Sequence, residues 1–331
     1  MSSCSKLIGI VLVPCAAASC TGGWKTLETQ AGGTTKTAGV WELVPDWPQV
    51  PSGMILGAVS GVAVDSRGNV IAVHRAGRDF NEAGLADTAV IREPAILVFE
   101  ARSGRLLDSW GEKIFLIPHS VTVDRHDNIW VADVGRQQIL TFSPKGELLL
   151  TIGEWRVAGS GPAHFNLPTD VAVYDDGSFL VSDGYRNSRI AKFDPRGVYA
   201  GEWGSKGAAP GQFVIPHGLA IGKDGNIYVA DRENSRVQVF DASGRFIKQW
   251  PSQPVVGPVG DVAVSSSGVV YVARWDAPDA LVVLDSALRA TTSIPFDTIV
   301  KPFAHAIAID GDSVIYFADG DGRRLLKFVR R

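Results

Sequence analysis

The sequence contains little cysteine and little methionine, and its N-terminal apolar run is short. Only three of the 331 residues are cysteine and two are methionine. Cys4, Cys15 and Cys20 all precede residue 21, so the rest of the chain has no thiol for a disulfide, a redox centre or a nucleophile. The apolar run at residues 7–14 is too short to span a bilayer.

The chain also lacks an excess of either charge. Its 32 Lys and Arg residues nearly balance 35 Asp and Glu residues, which gives a formal net charge of -3 at pH 7. Proteins that bind the phosphate backbone of nucleic acids usually carry a basic excess. We therefore expect no nucleic-acid partner.

Residues 1–20 are typical of an export signal peptide. Lys6 supplies a positive charge, residues 7–14 an apolar run, and residues 16–19 a small-residue cleavage region. Cys20 follows Ala-Ala-Ser, which resembles a bacterial lipoprotein box and predicts a lipid anchor at Cys20; ordinary signal cleavage nearby is the alternative. Residues 21–37, rich in Gly and Thr, are a predicted flexible tether. We expect the protein to be exported, as a periplasmic or outer-membrane lipoprotein of the cell envelope or as a secreted protein.

One pattern recurs six times in the rest of the chain. It consists of a short alternating strand, an Asp/Gly/Asn turn, and a second strand that commonly ends in Val-Ala-Asp. The repeats are residues 61–75, 120–134, 170–184, 218–232, 261–275 and 306–320. A third strand follows each repeat and a fourth follows five of them. Four strands at this period form a blade, so residues 38–331 are predicted to be one all-β domain, a six-bladed β-propeller with NHL-type repeats.

The sixth repeat ends one strand short. Its last strand is residues 325–329, and the sequence VWELV at residues 40–44 is a candidate for the missing one. Pairing of these N- and C-terminal strands would close the ring and remove an open sheet edge.

Histidine occupies one register in every second blade. The residues just before the six repeats are Ser60, His119, Thr169, His217, Gly260 and His305. Because the first strand of each blade lines the central channel, the histidines of alternate blades should converge around an approximate threefold axis. The register therefore predicts a metal site on these three imidazoles, with zinc favoured because three neutral ligands leave the open position of a catalytic zinc. Copper, nickel and iron also bind imidazole. The alternative to a metal site is that each histidine makes its own hydrogen bond at a blade edge.

Three more side chains are expected beside the histidines. Starts of first strands and ends of second strands lie on the same propeller face, which places Arg75, Tyr185 and Arg232 there. An arginine can hold a carboxylate, and a tyrosine beside a metal or a guanidinium can act as a base. Residues 76–93 interrupt the first blade on this face and form either a lid or a disordered loop.

Other polar residues of the repeats are expected to be structural. The aspartates that end four second strands should hold turns together; they are Asp133, Asp183, Asp231 and Asp319. The histidines outside the common register, for which we expect no functional role, are His74, His126 and His164.

Several segments are more specific than a generic NHL repeat. They are HRAGRDF (74–80), PHSVTVD (118–124), HFNLPTDVAV (164–173), VSDGYRNSRI (181–190), QFVIPHGLAI (212–221) and VADRENSRVQVF (229–240). In them the chain resembles the peptidyl-α-hydroxyglycine α-amidating lyases, and the resemblance covers nearly all of the predicted propeller.

The resemblance implies an activity and a role for each candidate residue. The implied roles are metal ligands for His119, His217 and His305, catalytic base for Tyr185, and active-site arginines for Arg75 and Arg232. The implied reaction cleaves the N–Cα bond of a C-terminal α-hydroxyglycine, or a related carbinolamide, and releases a peptide amide and glyoxylate. The implied substrate is a small peptide or another α-hydroxyglycine compound.

The sequence departs from the family pattern at three places. Phe303 stands where the family has Met, which reshapes the substrate pocket. Ala306 stands where the family has an Asp that binds calcium, so the resemblance leaves a structural calcium undecided. Arg186 stands where animal members have a disulfide cysteine.

Two other functions remain open from the sequence. One is a non-catalytic NHL propeller that binds a peptide or a cell-envelope ligand on its face. The other is a lactonase-like hydrolase, although such enzymes place acidic and amide ligands around calcium where this chain has histidines.

Overall fold

Among the described residues, 24 strands form six antiparallel sheets of four strands each. The computed structural model describes residues 40–78, 89–251, 257–275, 280–294 and 303–331. The predicted signal and tether, Cys20, the domain boundary at residue 38 and most of the loop at residues 76–93 lie outside the described residues.

Each sheet is one blade whose first strand lies innermost. Blade 1 has β2 Val59–Val64, β3 Val70–His74, β4 Ile96–Phe99 and β5 Leu106–Trp110. Blade 2 has β6 Pro118–Val123, β7 Ile129–Asp133, β8 Gln138–Phe142 and β9 Leu148–Ile152. Blade 3 has β10 Asp170–Val173, β11 Phe179–Asp183, β12 Arg189–Phe193 and β13 Tyr199–Trp203. Blade 4 has β14 Pro216–Ile221, β15 Ile227–Asp231, β16 Arg236–Phe240 and β17 Phe246–Trp250. Blade 5 has β18 Val259–Val264, β19 Val270–Arg274, β20 Leu281–Leu284 and β21 Ala290–Ile294.

Blade 6 is completed by the N-terminal strand of the described chain. Its strands are β22 Ala304–Asp310, β23 Val314–Asp319, β24 Arg324–Arg330 and β1 Trp41–Leu43. β1 pairs antiparallel with β24, with Trp41 opposite Arg330 and Leu43 opposite Phe328. The predicted six-bladed propeller and the closure of its ring by the two chain ends are confirmed.

The hydrophobic core lies between the faces of adjacent blades. Second strands such as β7 and β11 are buried along their whole length, because they have strands on both edges and blades on both faces. Between blades 2 and 3, for example, Trp130 packs on Phe179 with ring centroids 4.8 Å apart. Outer strands are largely exposed, and β9 buries only Ile152. This layering leaves the first strands free to line the channel.

Helical structure in the described ranges is limited to a 3₁₀ turn at Arg232–Asn234. No helix there has the length and apolar character needed to cross a membrane.

Candidate metal centre and active site

Three histidines from alternate blades meet on the propeller axis. His119, His217 and His305 lie in the first strands of blades 2, 4 and 6, and their ring centroids are 4.6, 4.7 and 5.0 Å apart. One nitrogen of each ring lies within 4.8 Å of those of the other two. All three side chains are buried. The three histidines could together hold one metal ion, as their common register predicts.

β-Bulges aim these histidines at the axis. The strand pairing shifts register at each of them, between Pro118 and Ser120, between Pro216 and Gly218, and between Ala304 and Ala306. A bulge inserts one extra residue into a strand and redirects its side chain, and bulges are common beside active sites. The sequence analysis placed each histidine just before its strand, whereas the structure begins each strand one residue before the histidine.

A main-chain carbonyl of the next blade fixes the orientation of each imidazole. Nδ1 lies 2.7 Å from a carbonyl oxygen in all three cases, and the acceptors belong to Thr169 for His119, Gly260 for His217 and Ser60 for His305. These acceptors occupy the same register in the odd-numbered blades. Because a carbonyl only accepts, Nδ1 must carry the proton, and each Nε2 keeps its lone pair for the axis.

The electrostatics of the site suit a metal. Burial is the main reason that the pKa of each histidine lies well below its usual value. Nearby arginines add to this effect at all three, and other imidazoles add to it at His119 and His217. The rings are therefore neutral, which is the form that ligates metals. Nε2 of His217 is buried and has no hydrogen-bond partner among the described residues. An orphaned, buried lone pair facing the axis is the arrangement that a bound cation would satisfy.

Tyr185 lies at the edge of the histidine triangle. It follows β11 on the same face, and its hydroxyl lies 3.0 Å from Nε2 of His119. Its half-buried ring packs against the buried apolar cluster of Leu116, Ile117 and Val134. Burial raises the pKa of the Tyr185 hydroxyl, while the positive charges of Arg232 and Arg75 act in the opposite direction.

Arg75 is a buried cation beside this site. It directly follows β3, its side chain is 1% exposed, and its Nε donates to the carbonyl of Pro118, the residue before His119. Burial lowers its pKa, and the charges of Tyr185 and Asp133 partly oppose that shift. The guanidinium therefore lies close enough to stabilise negative charge on the tyrosine.

Arg232 covers the site from the other side. Its guanidinium carbon lies 5.2 Å from the ring centroid of Tyr185 and 4.9 Å from that of Trp275. Its Nε donates to Glu233 at 2.8 Å. Cation–π contacts of this kind hold a guanidinium in place while leaving its other N–H groups available.

Trp275 is a site residue that the sequence analysis missed. Its ring stacks on Phe303 at 4.2 Å and meets His217 edge-on at 5.4 Å. Phe303 in turn lies 5.9 Å from His305, so the predicted pocket residue is beside the metal centre. A signal was present, because Trp275 directly follows a second strand in the register of Arg75 and Arg232.

The histidines outside the register have structural surroundings. Nδ1 of His74 accepts from the backbone N–H of Gly57 and Ala76, and its Nε2 lies 2.9 Å from the carbonyl oxygen of Pro94. His126 is exposed in a turn, and His164 contacts Glu154 at 3.3 Å.

His74 takes the position that aspartate has in other blades. Asp133, for example, accepts from the backbone N–H groups of Leu116 and Ile117, so it ties the end of its strand to the preceding loop. The expected turn-holding role agrees with the contacts of the other three aspartates, Asp183, Asp231 and Asp319.

Arg78 is one of the described residues of the loop that was expected to form a lid, and it donates to the carbonyl of Leu116.

A cavity of about 320 Å³ continues along the channel, lined by the first strands and by all three histidines. One residue beyond the histidine register it contains two carboxyl groups, Asp170 and Asp261. Asp170 accepts from the backbone N–H of Leu219, and Asp261 accepts from that of Ile307. Burial raises the pKa of Asp170 to about 7, and burial together with the Asp170 charge raises that of Asp261 well above its usual value.

The calcium position of the resembled family has no side-chain ligand in this chain. Ala306 is buried in the apolar layer between blades 6 and 1, where it packs with Val62 and Ala318. The departure noted in the sequence is therefore accommodated by close apolar packing.

Comparison with known proteins finds NHL repeats and similarity to amidating lyases. Three segments match the NHL repeat model, at residues 115–142, 165–193 and 213–240. The chain is 36% identical to peptidyl-glycine alpha-amidating monooxygenase B of Xenopus laevis, over 86% of this chain and 35% of that protein. It is 32% identical to peptidyl-alpha-hydroxyglycine alpha-amidating lyase 1 of Drosophila melanogaster, over 86% of this chain and 59% of that protein. The predicted resemblance to the amidating lyases is confirmed. A probable amidating lyase of Caenorhabditis elegans is 39% identical over 56% of each chain.

The chain spans about a third to three-fifths of the length of these amidating proteins.

Solved structures of other proteins share the fold. Virginiamycin B lyase of Staphylococcus aureus superposes with a TM-score of 0.61 at 12% identity, over 88% of this chain and 99% of that one. A gluconolactonase of Xanthomonas campestris gives a TM-score of 0.61 at 16% identity, over 84% and 88%. At these identities the likeness is one of fold alone.

Proposed function

We propose that the protein is a zinc-dependent lyase that cleaves the N–Cα bond of a C-terminal peptidyl-α-hydroxyglycine and releases a peptide amide and glyoxylate. The observation that carries the proposal is the position of the Tyr185 hydroxyl, 3.0 Å from Nε2 of His119 and within the influence of the charges of Arg75 and Arg232. The relationship to the amidating lyases supports the same assignment.

His119, His217 and His305 would hold the metal through Nε2, since Nδ1 of each is engaged by a carbonyl. When bound there, zinc supplies Lewis-acid stabilisation of developing negative charge on oxygen. Their neutral rings and the open axial side fit a three-histidine zinc site better than a closed structural one.

Tyr185 would act as its phenolate, which Arg75, Arg232 and a bound metal would stabilise against the effect of burial, and would take the proton of the substrate hydroxyl. The hydroxyl oxygen then becomes the aldehyde oxygen of glyoxylate, the Cα–N bond breaks, and its electron pair remains on the amide nitrogen, which accepts a proton. Arg232 would hold the substrate carboxylate, because its guanidinium is fixed over the ring and 14% of its side chain is exposed. Arg75 would lower the cost of charge on the tyrosine oxygen.

The test is glyoxylate release from α-hydroxyhippurate by the purified full-length protein. We expect release that stops when a chelator removes the metal and returns when zinc is added. His217→Ala should lose both metal and activity, whereas the exposed His126→Ala should keep both. A metal-loaded parent that releases no glyoxylate would favour a propeller that binds a peptide or an envelope ligand without turnover.

Export is part of the proposal. If Cys20 is lipidated, the parent should sediment with membranes and the Cys20→Ser variant should not. Equal fractionation of the two would leave ordinary signal cleavage as the better description.

A further inference from the structure

The indole of Trp275 has both of its faces covered. Phe303 stacks on one face, with an interplanar angle of 26°, and the Arg232 guanidinium lies over the ring at 4.9 Å. Only 8% of the residue is exposed. Trp275 is therefore held in place from both sides, and Arg232 has a rigid surface to rest on.

The edges of the same ring meet the supports of two metal-site histidines. The indole N–H donates to the carbonyl of Ala304, the residue before His305. The ring also touches His217 edge-on.

Gly260, whose carbonyl orients His217, lies against the same indole. A β-carbon at this position would overlap both the indole nitrogen and the Ala304 carbonyl oxygen. Glycine is required there because the tryptophan and the Ala304 carbonyl together occupy the space. One side chain thus touches the backbone that supports two of the three histidines.

We propose that Trp275 is a positioning residue that fixes His217, His305 and Arg232 in one arrangement, so that the guanidinium stays over the open side of the histidine site. The part of this inference that concerns Arg232 rests on the proposed lyase function, and the part that concerns the histidines does not. Groups that orient metal ligands from behind typically change metal affinity or activity 10–100-fold when they are removed.

The first experiment measures zinc affinity of the full-length protein by competition with a chromophoric chelator. Trp275→Phe keeps an aromatic face and loses the N–H donor, and we expect zinc to bind about 10-fold more weakly. Trp130→Phe is the matched control, because this buried indole also donates a hydrogen bond, to Asp124, and packs on an aromatic ring, that of Phe179. Its zinc affinity should equal that of the parent.

A second readout separates positioning from a loss of stability. With Co²⁺ in place of zinc, the visible absorption spectrum reports the geometry of the ligands. The spectrum should change in Trp275→Phe and stay unchanged in Trp130→Phe, even if both variants melt at lower temperature. Should Trp275→Phe not fold, Trp275→Tyr gives the same comparison with a ring closer in size.

The third experiment couples Trp275 to Arg232. We expect Arg232→Ala to lower kcat/KM for α-hydroxyhippurate at least 10-fold in the parent and less than 3-fold in a Trp275→Leu background, because the cation has already lost its support.

Unchanged zinc affinity and an unchanged cobalt spectrum in Trp275→Phe would overturn the positioning role at the histidines. Equal effects of Arg232→Ala in both backgrounds would overturn the role at the arginine. If the parent releases no glyoxylate while Trp275→Phe binds zinc more weakly, the lyase function fails and the positioning of the histidines stands.

Discussion

At the scale of single residues, backbone atoms orient the three histidines on the propeller axis. The acceptors are the carbonyls of Ser60, Thr169 and Gly260, and any amino acid would supply the same oxygen. The acceptor role therefore places no demand on the side chain, and the three residues differ, although packing against Trp275 and Ala304 separately requires glycine at position 260. The sequence therefore shows the histidines as a repeated pattern but gives no sign of the carbonyl groups that orient them.

Replacing the tyrosine tests the proposed base directly. Tyr185→Phe removes one oxygen and leaves the ring that packs against Leu116, Ile117 and Val134, so the fold and the metal content should be kept. Loss of a positioned proton acceptor typically lowers the rate 10²-fold or more, and we expect the loss in kcat. Glyoxylate release and zinc content of the purified variant are the measurements. A rate equal to the parent with zinc present would show that another group takes the proton.

Arg75 and Tyr185 should act as a unit. The buried guanidinium favours charge on the tyrosine oxygen, so Arg75→Ala should slow the same step. The double variant should be little slower than Tyr185→Phe alone, because each change removes the same function. If the rate losses of the two single variants multiplied in the double variant, Arg75 would contribute to catalysis independently of Tyr185.

His74 is expected to matter for stability rather than for chemistry. Removing its ring in His74→Ala leaves the backbone N–H groups of Gly57 and Ala76 without their acceptor, which should lower the free energy of unfolding by about 1–3 kcal/mol. The exposed His126→Ala should change it by less than about 0.5 kcal/mol. Chemical denaturation of the two variants beside the parent makes the comparison. Similar stabilities for both would exclude the turn-holding role of His74.

Repeat position made most site residues predictable, and the exception is informative. His119, Arg75 and Arg232 could be placed because the repeat fixes which face of the ring each position reaches. Trp275 occupies the register of the arginines, but its role depends on Phe303 and Gly260, which approach it only in the folded ring. No periodicity in the sequence encodes such a contact.

At the scale of elements, the first strands carry two layers of polar side chains that line the channel. The bulges direct the histidines to the axis. One residue beyond the histidine register, Asp170 of blade 3 and Asp261 of blade 5 line the channel. Bulges could not be predicted from the sequence, because alternation of apolar residues continues through them. The structure supplies the reason why adjacent residues both face the channel region.

The aspartate pair should make stability depend on pH. The native pKa of Asp170 is about 7 against an ordinary value of 3.8, so the folded state binds more protons between these values. Stability should therefore fall as the pH rises through this window. Asp261→Asn removes the second carboxyl group whose pKa is raised in the folded state, so the decrease in unfolding free energy from pH 5 to pH 8 should be smaller than in the parent.

Asp176→Asn is the control for this measurement. Asp176 is exposed and its pKa is lowered by hydrogen bonds from Ser178, so its titration is complete below pH 5. The change in its unfolding free energy from pH 5 to pH 8 should match that of the parent. If the pH dependence of the unfolding free energy were also unchanged in Asp261→Asn, the pKa of Asp261 would not be raised in the folded protein.

At the scale of the whole molecule, closure of the ring depends on a three-residue strand. β1 supplies the outer strand of blade 6, and Trp41 also meets Tyr271 of blade 5 edge-on at 6.3 Å. A chain that begins at residue 45 would leave β24 as an open edge, whereas a chain that begins at residue 38 would retain β1.

We expect the shorter chain to be destabilised by at least about 2 kcal/mol, from lost backbone hydrogen bonds and the buried aromatic contact. The exposed edge should also promote self-association. Melting temperature and size-exclusion chromatography of the two chains test this. Two equally stable monomers would show that the ring holds without its closing strand.

The architecture was the most predictable feature, because six repeats with four strands each leave few alternatives. The pairing of VWELV with the last strand followed from the single missing strand. Features that interrupt the repeat, such as the loop at residues 76–93, carry no such signal, since a repeat predicts only what recurs.

The alternation of histidine and carbonyl has a consequence for how such a centre can be built. Each ligand needs a side chain from one blade and an oxygen from the next, so the smallest complete unit is a pair of blades rather than one blade. Three identical two-blade chains, associated as a trimer, would satisfy every one of these hydrogen bonds. The single chain is, in this respect, a linked version of a threefold assembly.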